Sequence, residues 1–162
     1  GLLFLEKFLK INKDKKLFFK IIGNGNLNKI NKNLLNYKNV LLKGRVENLD
    51  ENWQNNQIFL VPNEIIMGLR IRIITAMSYG SIILTHSSNL KGQPELVNLY
   101  NCLVFNDPIE LDNIFKKLRS ETIKIEELSK NARLTFEKHY AIKNAFIHLD
   151  HQFHLSNLIK DV

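Results

Sequence analysis

Between Ile58 and Asn106 the chain alternates short, unbroken apolar runs with stretches of helical spacing. Ile58–Pro62 (IFLVP), Ser81–Thr85 (SIILT) and Cys102–Asn106 (CLVFN) have the uninterrupted apolar character of strands buried on both faces. Pro62 ends the first of them, because proline cannot donate to a sheet ladder. From Gly68 to Tyr79 the apolar positions recur with a helical period. Ile73, Ile74 and Met77 mark one side and Ile71, Ile74 and Ser78 another, and Gly80 supplies a stop. Pro94 fits the first turn of a further helix. Asp107, Pro108 and Glu110 then form a start signal: an oxygen cap, a proline whose missing N–H costs nothing there, and a carboxylate three positions past the cap. A helix is predicted to begin at Pro108. Upstream, strand-like runs near residues 16–22 and 39–44 and an amphipathic opening stretch, GLLFLEKFLK, continue the same rhythm. The predicted class is α/β, a doubly wound parallel sheet with helices on both faces and a ligand site at the carboxyl ends of its strands.

The ordered residues resemble a known family. A strand followed by P-x-x-x-x-x-G-x-R-x-R-x-x-x-A-M-x-Y-G-x-x-x-x-T, then P-E-L-V, then N-C-L-V-x-N-D-P, is similar to the carboxy-terminal, nucleotide-sugar-binding domain of GT-B-fold glycosyltransferases in the large retaining group 1. KLFFKIIGNGN resembles that domain's strand into a G-x-G turn, NVLLKGRVEN its next strand and loop, and NARLTFEKHYAIKNAF its closing helices. The likeness runs from about Leu2 to Phe146, and Gly68–Gly80 is its most specific part. It implies a Rossmann-like half-domain that holds the donor of a sugar transfer to a glycan or lipid-linked acceptor, as in polysaccharide biosynthesis. No metal or other cofactor is implied.

The resemblance also assigns candidate donor-binding residues. Gly68, Arg70 and Arg72 match the family's G-x-R-x-K segment, with arginine in place of the lysine. If the helix starts at Gly68, its free N–H groups, its positive end and both arginines favour the diphosphate. Where the family usually has two glutamates eight positions apart, this chain has Met67 and Thr75. Thr75 offers a single hydroxyl and cannot accept two hydrogen bonds from vicinal ribose hydroxyls as a carboxylate does. Glu64, three residues before Met67, is a further candidate if its loop is displaced toward the donor. The catalytic residues cannot be assigned. A catalytically degenerate relative that binds a nucleotide or glycan without turnover therefore stays open beside the enzyme. A dinucleotide binder is disfavoured, because Asn28 stands where the third glycine of G-x-G-x-x-G is required after Gly23 and Gly25.

The family domain opens with a strand ahead of its first helix, whereas this sequence opens on that helix. In doubly wound order the first strand lies in the middle of the sheet, so a central gap is expected. We read residues 1–162 as one nucleotide-sugar-binding domain, a piece of a longer product whose acceptor domain lies elsewhere; the length suits one core and is short for two. No apolar run is long enough to span a bilayer, and a cytoplasmic domain, at most peripheral at the inner membrane face, is expected.

The net charge is +7, and all of the excess falls in residues 1–81, which hold thirteen Lys/Arg against six Asp/Glu. Lys10, Lys13, Lys15, Lys16 and Lys20 cluster around the first helix and its exit, either as a solvated helix end or as a contact for an anionic membrane. They are not interleaved with stacking aromatics, which argues against nucleic acid. His148, His151 and His154 are spaced by three, a polar flank rather than a metal site, since that spacing drifts around a helix and no nearby cysteine completes it. Cys102, the single cysteine, reads as a small buried hydrophobe. His86 lies at the strand end, either as a cap or as a donor contact.

Overall fold

The computed structural model describes residues 1–14, 16–23, 32–47, 58–65, 68–142 and 144. The elements in chain order are α1 (Leu2–Ile11), β1 (Phe19–Ile22), α2 (Lys32–Leu35), β2 (Val40–Gly44), β3 (Ile58–Val61), α3 (Ile71–Ser78), β4 (Ile82–His86), β5 (Leu103–Phe105), α4 (Pro108–Arg119) and α5 (Ile125–His139), with a 3₁₀ turn at Ser87–Gly92. Every strand pairing among the described residues is parallel, as the unbroken apolar runs predict. Among the described residues the strands form two sheets, β1–β2 and β3–β4–β5. The break falls where the doubly wound order places its first strand.

One apolar layer runs beneath both sheets. Phe4 and Phe8 of α1 are fully buried, because a period near four aligns them on the face turned inward. The Phe8 ring meets Phe19 of β1 at 5.8 Å and Phe115 of α4 at 5.6 Å, and Phe4 meets Phe105 of β5 at 5.2 Å. Leu34, Ile82, Leu84, Leu103, Leu111 and Leu128 complete this layer. On the opposite face of β3–β4–β5, α3 and α5 close a second cluster around Val61, Ile73, Met77, Ile83 and Ala132. Polar ties hold α1 at its middle and just beyond it. The buried Glu6 carboxylate accepts from Asn33 at 3.0 Å and pairs with Lys10 at 2.9 Å. Just past the helix Asp14 pairs with Arg119, which holds the Asp14 carboxyl below the usual carboxylate range.

The helix ends follow local chemistry. Gly80, at φ +61, closes α3: its N–H bonds Met77 O at 2.9 Å and the N–H of Ser81 reaches Ala76 O at 3.0 Å, the paired bonds of a Schellman stop. At α4 one Asp107 oxygen accepts from the N–H groups of Ile109 and Glu110, both at 2.8 Å, and Pro108 occupies the first turn. Two expectations are corrected. No helix begins at Pro94; residues 93–101 form turns, with Leu99 at φ 64, around Asn101, whose side chain bonds the backbone of Glu95 and Val97 and thereby competes with a helix. The helix expected from Gly68 starts at Ile71, because Arg70 is extended, φ −102 and ψ 98. Of its two candidate faces, Ile73 and Met77 turn inward and Ile71 outward. The three histidines from His148 onward lie outside the described residues.

The aromatic bridge carries more of the fold than any cap does. Phe8→Ala should lower the unfolding free energy by about 3–5 kcal/mol, and Asp107→Ala by about 1 kcal/mol. Urea titration of both variants measures the difference, and equal losses would contradict the bridging role.

Candidate functional site

The carboxyl ends of β3, β4 and β5 meet at one rim, tied together by His86 and Ser88. Ser88 N–H donates to His86 Nδ1 at 3.1 Å, so the ring proton sits on Nε2, which donates to Asn106 O, beyond β5, at 3.0 Å. Ser88 Oγ donates to Asn63 O, beyond β3, at 2.7 Å. His86 also packs edge-on against Phe4 and Phe105, each at 6.0 Å. Of its two readings, the cap is the one the structure gives.

Asn89, which the sequence reading did not single out, is the hub of the site. It is 1% exposed, and its amide N–H₂ donates to Thr85 Oγ1 at 3.0 Å and to Val61 O at 3.4 Å, while its Oδ1 accepts from Arg70 Nε. Arg70 Nη2 donates onward to Ile65 O at 3.0 Å. Burial, and then the charge of Arg72, lower the Arg70 pKa. Arg70 therefore fastens the β3–α3 loop to the strand ends. Nothing in the local sequence announces this partnership, since it joins positions nineteen residues apart.

The other candidates spread around that clamp. Gly68, Leu69, Arg70, Ile71 and Arg72 line a hollow of about 300 Å³ at the start of α3, and Gly68 has no neighbour within 4 Å of where a Cβ would stand. Among the described residues no side chain caps this helix start and no acid lies in its first turn, so the positive helix end lies at the hollow uncompensated. Arg72 is exposed on the first turn, with Leu69 and Ile71 as exposed apolar neighbours. Thr75 is half-buried and its hydroxyl bonds Ile71 O at 3.1 Å, so its proton is spent within the helix. Glu64 is exposed, near the Gly1 amine. Met67 lies outside the described residues. The structure thus gathers Gly68, Arg70 and Arg72 into one hollow and leaves Thr75 and Glu64 off its lining.

A larger hollow, about 390 Å³, lies between residues 94–101 and the carboxyl half of α5, where neither arginine reaches. Cys102 is fully buried and its thiol is pushed up to about 12 by burial, which leaves it without nucleophilic character. Among the described residues no group of His, Cys, Asp or Glu is arranged to hold a metal ion, and no helix is long and apolar enough to cross a membrane.

An α/β half-domain with a helix starting at the carboxyl ends of its parallel strands is a Rossmann-like module. Residues 2–120 match the family described as Glycosyl transferases group 1, and the chain belongs to that family. Its fold is that of a GT-B half-domain. A glycosyltransferase from Rickettsia africae has a TM-score of 0.73 at 13% identity, over 93% of this chain and 44% of that one. Anabaena HepE in complex with UDP has 0.79 at 12%, over 95% and 45%. Sucrose-phosphate synthase from Thermosynechococcus elongatus has 0.76 at 15%, over 98% and 43%. The chain spans a little under half the length of each. Comparison with curated proteins gives no match.

The clamp is testable without a ligand. Asn89→Ala removes the shared partner of Thr85, Val61 and Arg70 and should cost about 1–3 kcal/mol of stability. Lys91→Ala, on the exposed side of the same turn, should stay within about 0.5 kcal/mol of wild type. Denaturant unfolding of the pair reads the difference, and equal stabilities would remove Asn89 from its role.

Proposed function

We propose that residues 1–162 are the nucleotide-sugar-binding domain of a retaining glycosyltransferase that moves a sugar from a nucleotide diphosphate sugar to a glycan or lipid-linked acceptor. One observation carries this reading: a helix start with no cap and no acid, bearing the exposed Arg72, at the end of a parallel sheet. Family membership and the UDP named with HepE support it. In the transfer, the bond from the anomeric carbon to the diphosphate oxygen breaks and a bond to an acceptor oxygen forms. Negative charge grows on the leaving diphosphate, and donors fixed in advance lower that barrier. Arg70, already held by Asn89 and Ile65 O, sets the loop; Arg72 and the α3 N–H groups meet the charge. Leu69 and Ile71 offer the apolar rim.

The acceptor's proton and its recognition belong to groups outside these residues, so the isolated chain binds donor without transferring sugar. The basic cluster of Lys10, Lys13, Lys15, Lys16 and Lys20 would let the enzyme approach an anionic cytoplasmic membrane surface from which a lipid-linked acceptor is presented. A second reading, a binding domain without turnover, is favoured by one fact: Thr75, which replaces a family glutamate, spends its hydroxyl proton on Ile71 O.

Titrating UDP, GDP and ADP into the intact protein and its Arg72→Ala variant tests the assignment. The preferred nucleotide should lose about 1.5–3 kcal/mol of binding in the variant. Equal affinities would take Arg72 out of the site, and binding without sugar transfer by the intact wild type would favour the second reading.

A further inference from the structure

We propose that the face formed by residues 97–100 and the carboxyl half of α5 is a docking surface for a second copy of this chain. Leu99 stands at its centre. Its φ of 64 is a left-handed backbone that glycine adopts freely and a leucine side chain opposes, and it is 70% exposed. Strain of that kind persists only where the surroundings impose it. Here they do. The Asn101 side chain holds the Val97 N–H and Glu95 O, both at 2.8 Å, and donates to Thr135 Oγ1 of α5 at 2.9 Å. Leu99 N–H bonds Cys102 O at 2.9 Å, Asn98 Oδ1 accepts from Val104 N–H at 2.9 Å, and Asn131 Nδ2 donates to Tyr100 O at 3.0 Å. A stiff loop therefore holds an apolar side chain out in water, where its strain gains the fold nothing.

Beside this knob lies the hollow of about 390 Å³, with the exposed side chains of Val97, Tyr100 and Leu134 in its wall. That volume is at the small end of ligand pockets, room for a leucine and its neighbours. Knob and hollow adjoin on one face. A two-fold axis between them sets the Leu99 of each copy in the hollow of the other, an isologous contact that closes at two.

Charge selects a second copy as the occupant. The excess of +7 falls in residues 1–81, whereas residues 82–162 hold ten basic and ten acidic side chains. Two copies thus repel through the first half of the chain and approach freely through the second. The walls of the hollow are opposite in sign, with Glu95 on the turn and Lys138 on α5, so a two-fold rotation offers each charge its complement. The loop leads into the amino end of β5, which runs parallel to β4. Docking there is at the end of the sheet opposite the His86 rim and leaves the hollow at α3 open.

An interface of a few apolar side chains belongs to the weak class, so the test is sedimentation velocity of the intact protein over roughly 5–500 μM. The mean mass should rise toward twice that of the monomer. Leu99→Gly removes knob and strain together. Its dissociation constant should weaken at least about 10-fold, while its urea midpoint should not fall below that of wild type, because glycine takes this φ without strain. Leu134→Lys, in the wall of the hollow, should weaken association as much, and Ile109→Ala, similarly exposed on α4, should leave it unchanged. Four results would overturn the proposal. A wild type that stays monomeric throughout means that no second copy docks, and association that survives both Leu99→Gly and Leu134→Lys means that another surface carries it. Masses that climb past two copies mean that the contact does not close. A urea midpoint well below wild type in Leu99→Gly means that Leu99 serves the fold instead.

Discussion

The side chains of Phe4 and Phe8 are the constraint on which this half-domain depends. Each lies at 0% exposure, and together they span from β1 to β5 across sheets that share no hydrogen bond among the described residues. Apolar packing is non-directional, so it holds two sheets at a common depth without fixing their spacing. Register within each sheet comes from the parallel ladders, and relative placement comes from α1. Because Phe4 also touches His86, the same helix supports the cap that gathers the ends of β3, β4 and β5.

From that rim a single buried amide carries order into the site. Asn89 has a neutral, bidirectional side chain: its nitrogen satisfies the strand ends and its oxygen holds Arg70. In a water-poor position such an amide is costly unless every lone pair and proton finds a partner, and here the partners are the strand ends and the loop arginine. The two arginines of the segment consequently differ in role. Arg70 is anchored to protein atoms, whereas Arg72 projects from the first turn of α3 beside backbone donors that no side chain satisfies. In the proposed function, fixed donors next to an exposed cation meet a multiply charged anion without reorganisation.

Elements specified by local chemistry were legible in the sequence. The five strands lie within three residues of their expected limits, because unbroken apolar runs between turn residues leave little choice of period. The Asp107 cap and the Gly80 stop were equally clear, since each acts through neighbouring backbone groups. Misreadings arose where tertiary partners decide. Pro94 suggested a helix that Asn101 prevents by bonding the intervening backbone. The start of α3 moved from Gly68 to Ile71 because Arg70 extends to reach Asn89 and Ile65. The motif that groups Gly68, Arg70 and Arg72 is local and they line one hollow, but the anchoring of Arg70 depends on a residue nineteen positions away, which no periodicity encodes.

In the proposed function the phosphates of a nucleotide lie at the amino end of α3 of this group 1 glycosyltransferase domain. Amide chemical-shift mapping on the isotope-labelled protein, with UDP, GDP and ADP in turn, tests it most directly. The largest changes should fall on Gly68, Leu69, Ile71 and Arg72 and be absent with the corresponding nucleosides. Changes centred instead on Glu95, Val97, Lys138 and His139, in the larger hollow against α5, would contradict the account.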